Sequence, residues 1–157
     1  MEIQRILTPE RTQCHAKSST KKSILELTSN MLAAQNSSLH ATDILTKLVE
    51  RERLGSTGIG HGVAIPHARV GAIDAPIASL IQLDNPVDFD SADDQPVNLV
   101  FGFIVPEGLA DEHLDLISTL ATLFNETDFR SSLRDAKTDQ TLFDAMISYK
   151  QEVVHAK

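Results

Sequence analysis

The chain has 157 residues, 41% of them hydrophobic, and carries 14 Lys and Arg against 22 Asp and Glu, a formal charge of -8. That length and apolar content suit one domain with a single sizeable core, and the acidic balance excludes broad nucleic-acid contact, leaving room only for a small local basic patch. The one cysteine, Cys14, can form no internal disulfide, the first residues lack the apolar core of a signal peptide, and no apolar run approaches the roughly 20 residues that span a bilayer; the expectation is a cytoplasmic protein without membrane insertion.

Residues 1–18 hold one short apolar cluster, Ile3, Ile6 and Leu7, and a Thr8-Pro9 break, and read as a loosely attached lead-in. Ser19 or Thr20 is a suitable N-cap, and the spacing of Ile24, Leu25, Leu27, Met31 and Leu32 predicts a helix over about 20–35. Lys21 and Lys22 in its first turn oppose the helix dipole. A solvated face is favoured for them over a functional basic patch. After the loop Asn36-Ser37-Ser38, the residues Ile44, Leu45, Leu48 and Val49 predict a second amphipathic helix over about 41–53, which delivers Arg51 into a glycine-rich stretch.

In that stretch four of the seven glycines (Gly55, Gly58, Gly60, Gly62) precede Val63-Ala64-Ile65-Pro66-His67. Glycine admits backbone conformations closed to other residues, so a tight loop is expected here. A strand over 62–66 then ends at Pro66, with His67 continuing the face of Val63 and Ile65 at the strand end. Strand ends are where α/β folds place ligand sites. Residues 75–84 predict another strand, with Asn85-Pro86 as its turn and a short extension through Phe89. The acidic loop Asp88, Asp90, Asp93 and Asp94 lacks the periodicity of a calcium loop and is read as a solvated turn.

Residues 97–105 are almost continuously apolar between Pro96 and Pro106, the pattern of a central strand buried on both faces. A loop over 106–109 leads to Asp111 as an N-cap, after which His113, Ile117, Leu120 and Phe124 share one helix face. Two further helices are predicted over about 128–135 and 139–149, with a frayed tail after about 150. Strands interspersed with helices argue for an α/β sheet covered by helices.

The chemistry open to this set is phosphoryl acceptance. A neutral imidazole titrates near pH 6.5 and offers a nucleophilic ring nitrogen, and transfer needs positive charge and N–H donors around the phosphoryl oxygens. His67 would accept; Arg51, the glycine-loop amides and His113 are suitable donors, and Asp115 should face away from His113 on its helix. Taken singly, each of His67 and His113 is better read as a hydrogen-bonded, partly buried structural residue. A zinc site from His61, His67 and His113 has no supporting spacing. The glycines form neither a Walker A loop nor G-x-G-x-x-G, and Ser56 sits in no nucleophile elbow.

The block Arg51-Glu52-Arg53-Leu54-Gly55-Ser56-Thr57-Gly58-Ile59-Gly60, then Gly62-Val63-Ala64-Ile65-Pro66-His67, then His113-Leu114, resembles the mannitol/fructose-type enzyme IIA family of the phosphoenolpyruvate-dependent phosphotransferase system, and within it the nitrogen-regulatory branch. The resemblance extends over nearly the whole chain, including residues 18–22, 86–97 and Leu142-Phe143. It implies a single α/β domain over 1–157, with a mixed, mostly five-stranded sheet flanked by helices. It further implies His67 as the residue phosphorylated at Nε2, with His113 and Arg51 stabilising the phosphate, and no cofactor or metal. The implied partners are a histidine phosphocarrier protein of the nitrogen branch and regulatory targets such as a potassium transporter or a sensor kinase. Two positions depart from the family pattern: His61 stands where asparagine is usual, and Asp115 where some members have another histidine. Two other readings remain beside a regulatory phosphocarrier: a sugar-transport IIA that passes phosphate to a IIB, and a binding module that is never phosphorylated.

Overall fold

A capping box starts the first helix: the Thr20 hydroxyl accepts from the Ser23 amide at 3.0 Å while the Thr20 amide donates to the Ser23 hydroxyl at 3.2 Å. In the computed structural model, which describes residues 2–108 and 110–155, this helix is α1 (Lys21–Ala33), followed by α2 (Ala41–Leu54), α3 (Ala110–Phe124), α4 (Thr127–Asp135) and α5 (Asp139–His155). Asp111 lies inside the first turn of α3 rather than capping it, Leu109 of the expected 106–109 loop falls outside the described residues, and α5 continues past the expected end at residue 149.

The strands are β1 (Thr12–Ala16), β2 (Gly58–Gly60), β3 (Val63–Ala64), β4 (His67–Val70), β5 (Ile77–Val87) and β6 (Val97–Pro106). They form one mixed sheet in the order β1-β5-β6-β3-β2, with β4 also paired to β6. Since Phe103 pairs with both Ala78 of β5 and His67 of β4, β4 occupies the edge of β6 that β3 uses lower down. The sheet is therefore five positions wide although six strands contribute.

Buried on both faces as expected, β6 separates two cores. Leu99, Phe101, Phe103 and Val105 pack with residues of α3, α4 and α5, while Val100 and Ile104 pack with residues of α1 and α2. Gly102 lets α1 approach closely, because a Cβ there would collide with the Thr28 methyl group.

Four expectations are corrected. Residues 2–18 are integral: Ile3, Ile6 and Leu7 are at most 3% exposed, Arg11 donates to the carbonyls of Ile6 and Ala78, and β1 pairs in parallel with β5. Asn85-Pro86 does not end its strand; β5 runs through to Val87, and Pro86 is tolerated because the ladder to β6 is irregular between Gln82 and Val87. The expected strand over 62–66 breaks after Ala64, and His67 opens β4 instead of closing β3. Lys21 is neither solvated nor a basic patch: it pairs with the nearly buried Glu52 at 2.8 Å, with Asp90 at 3.5 Å, and lies over the Phe89 ring.

Candidate functional site

The break between β3 and β4 shapes the site. Proline has no N–H for a ladder, and on either side of that gap the backbone is diverted: the Ile65 amide donates to Thr57, and the Phe103 amide donates to the Pro66 carbonyl. The Ile65 carbonyl is thereby directed at the His67 ring, 2.8 Å from Nδ1. A carbonyl can only accept, so Nδ1 carries the hydrogen of the neutral ring and Nε2 keeps its lone pair.

His67 is 5% exposed. Burial pushes its pKa down from 6.5 to about 4, with the neighbouring His113 and Arg51 lowering it further and the Ile65 carbonyl opposing them. The ring is neutral at physiological pH. His113, from the first turns of α3, meets it edge-on with ring centroids 4.8 Å apart and planes at 70°. The pKa of His113 is also lowered, by burial first and then by Arg69 and Arg51. Its Nδ1 is buried and has no hydrogen-bond partner among the described residues.

Arg51 comes from the last turn of α2, where its Nη1 donates to the Gly55 carbonyl at 2.8 Å. A cleft of about 580 Å³ brings Arg51, His67 and His113 together, lined also by Lys47, Glu50, Leu54, Ala68 and Arg69. Three cations and one carboxylate in a chain of net charge -8 make this a local basic cavity. The guanidinium groups and the His113 imidazole are donors suited to a tetrahedral anion, and the Nε2 lone pair of His67 is a nucleophile beside them.

The glycine-rich stretch has a different job from the one expected. None of its glycines lines the cleft. Gly58 and Gly60 belong to β2, and the turn into β3 passes through positive φ at Gly60, His61 and Gly62. Arg134 of α4 clamps that turn by donating to the His61 carbonyl and to Asn98. His61 therefore stands apart from His67 and His113, and no group of three His, Cys, Asp or Glu suited to a metal occurs among the described residues. Asp115 is exposed and, like His61, does not line the cleft.

Sequence reasoning missed Arg69 and Lys47. A strand starting at His67 would have put Arg69 on the same face by period two, and Lys47 lies one helical turn before Arg51.

The family model for the phosphoenolpyruvate-dependent sugar phosphotransferase system, EIIA 2, matches residues 5–149. The chain belongs to this family. Among similar EIIA 2 relatives is the nitrogen regulatory protein of Pseudomonas aeruginosa, 40% identical over 147 residues that cover 94% of this chain and 96% of that protein. The crystal structure of the nitrogen regulatory protein of Neisseria meningitidis superposes with a TM-score of 0.85 at 34% identity, covering 91% of this chain and 97% of that one. The mannitol IIA of Escherichia coli shares the fold, with a TM-score of 0.70 at 17% identity over 86% of this chain and 95% of that one. As an EIIA 2 chain it is similar to the nitrogen-regulatory type. No helix among the described residues is long and apolar enough to cross a membrane.

Proposed function

We propose that the chain is a regulatory phosphocarrier that accepts a phosphoryl group on Nε2 of His67 from a phosphohistidine of a carrier protein. The observation that supports this most directly is the Ile65 carbonyl at Nδ1, which leaves Nε2 as the nucleophilic nitrogen of a ring kept neutral by burial. In the transfer the Nε2–P bond forms as the donor's N–P bond breaks. The donor imidazole leaves neutral, and the Nδ1 proton stays against Ile65.

Arg51 and His113 act on the phosphoryl oxygens, where charge must be held as the group passes between two nitrogens. Similarity to nitrogen regulatory proteins supports the regulatory part: target proteins, such as a potassium transporter or a sensor kinase, bind the phosphorylated and unphosphorylated forms differently.

The test is incubation with phosphoenolpyruvate, enzyme I and the carrier protein. An acid-labile phosphoryl group appears on the wild type and is lost in His67→Ala; its absence from the wild type, or its retention in the variant, overturns the reading. Rapid onward transfer to a fructose or mannitol IIB would replace the regulatory role with transport.

A further inference from the structure

Arg69 leaves β4 two residues after His67 and, by strand alternation, on the face that His67 and Phe103 share with α3. It lines the same cleft and is exposed. Its guanidinium makes no ion pair or side-chain hydrogen bond with any described residue, whereas Arg51 is already committed to the Gly55 carbonyl.

We propose that Arg69 is a third phosphate ligand of the cleft, approaching the anion from the sheet while Arg51 approaches from α2 and His113 from α3. This rests on the phosphocarrier reading and extends it to a residue outside the expected set. A phosphoryl group on Nε2 presents three outer oxygens, and three donors arriving from three separate elements can each take one. Guanidinium suits this role because its planar fork holds two oxygens or one with fixed geometry. The lowered pKa of His113, to which Arg69 contributes more than Arg51, agrees with a guanidinium close to that ring. Glu50 lines the cleft too, but Lys47 one turn earlier on α2 offsets its charge.

Inorganic phosphate titrated into the wild type, Arg69→Gln, Arg69→Lys and Arg53→Gln, followed by the ring signals of His67 and His113, reads the contact directly. Arg53 is an exposed cation outside the cleft and controls for net charge. Arg69→Gln is expected to weaken phosphate binding about threefold to fivefold. Arg69→Lys should recover part of the loss, Arg53→Gln should change nothing, and His113 should titrate at higher pH in Arg69→Gln. A parallel reaction with phosphoramidate measures phosphohistidine formation at His67, slowed by a similar factor in Arg69→Gln.

Equal phosphate affinity in wild type and Arg69→Gln, or an equal loss in Arg53→Gln, overturns the assignment. If phosphate binding depends on Arg69 but no phosphohistidine forms in the wild type, the phosphocarrier reading falls and the anion contact stands. If the wild type is phosphorylated and Arg69→Gln matches it in both assays, the reverse holds.

Discussion

The ring of His67 stacks on the ring of Phe103 with centroids 5.2 Å apart and planes 11° from parallel, and the two residues are direct partners across the β4–β6 ladder. Phe103 is wholly buried, so one face of the imidazole is sealed by the core while its Nδ1 edge is sealed by Ile65. The desolvation that lowers the His67 pKa has this physical source. The lowered pKa at this position is a product of core packing as much as of nearby charge.

Protonating that ring opposes folding. With the folded pKa at about 4 and the ordinary value at 6.5, the unfolded chain binds the proton first as pH falls. Stability from this group is full above pH 6.5 and is lost between 6.5 and about 4, by roughly 3 kcal/mol at most. Urea denaturation at pH 7 and pH 4.5 should show a smaller loss in His67→Gln than in the wild type. An identical pH dependence in both would contradict the buried neutral ring.

His113→Ala should leave the fold intact, because the ring is only partly buried and its Nδ1 has no hydrogen-bond partner to lose among the described residues. The stability change should stay under about 1 kcal/mol. If His113 holds the phosphoryl group as proposed, phosphorylation by the carrier protein should slow by about tenfold or more. A large drop in melting temperature would show a structural histidine instead.

Glu52 is the anchor between α2, α1 and the segment leading to β2. Its carboxylate, 6% exposed, accepts from Lys21 and from both the amide and the hydroxyl of Thr57. Glu52→Ala leaves those donors unmet, but Lys21 is 22% exposed and can turn to water, so the cost should be about 2 kcal/mol. Chemical denaturation measures it.

Gly62→Ala tests the turn that sequence alone made look like a ligand loop. Gly62 has φ of 77°, and a Cβ there would lie 2.5 Å from the Arg134 guanidinium that clamps the His61 carbonyl. Backbone strain and the displaced arginine together should cost about 2 kcal/mol. Gly108→Ala, whose Cβ would meet no described residue within 4 Å, should be close to neutral in the same denaturation experiment.

How much was legible beforehand follows from how strongly each element speaks through its own side chains. The almost continuous apolar run of β6 and the Thr20 cap of α1 carry their structure in the residues themselves, and both are found as expected. β1 was hidden because its buried face is Thr12, Cys14 and Ala16, small or weakly apolar residues that alternate without a marked contrast. Pro66 announced a stop, but the chain resumes one residue later by pairing with the far end of the same strand, a long-range event that no local pattern contains. For the same reason the pairing of His67 with His113 could be suggested from chemistry and family pattern, while Arg69, whose place depends on where β4 begins, could not.

The basic cleft in an acidic molecule also bears on how partners arrive. The net charge of -8 repels a protein with an acidic face, whereas Lys47, Arg51 and Arg69 attract it locally, over a screening distance of about 8 Å at physiological ionic strength. Diffusional encounters with such a partner are thus sorted by orientation before contact, and added salt should slow its association more than its dissociation.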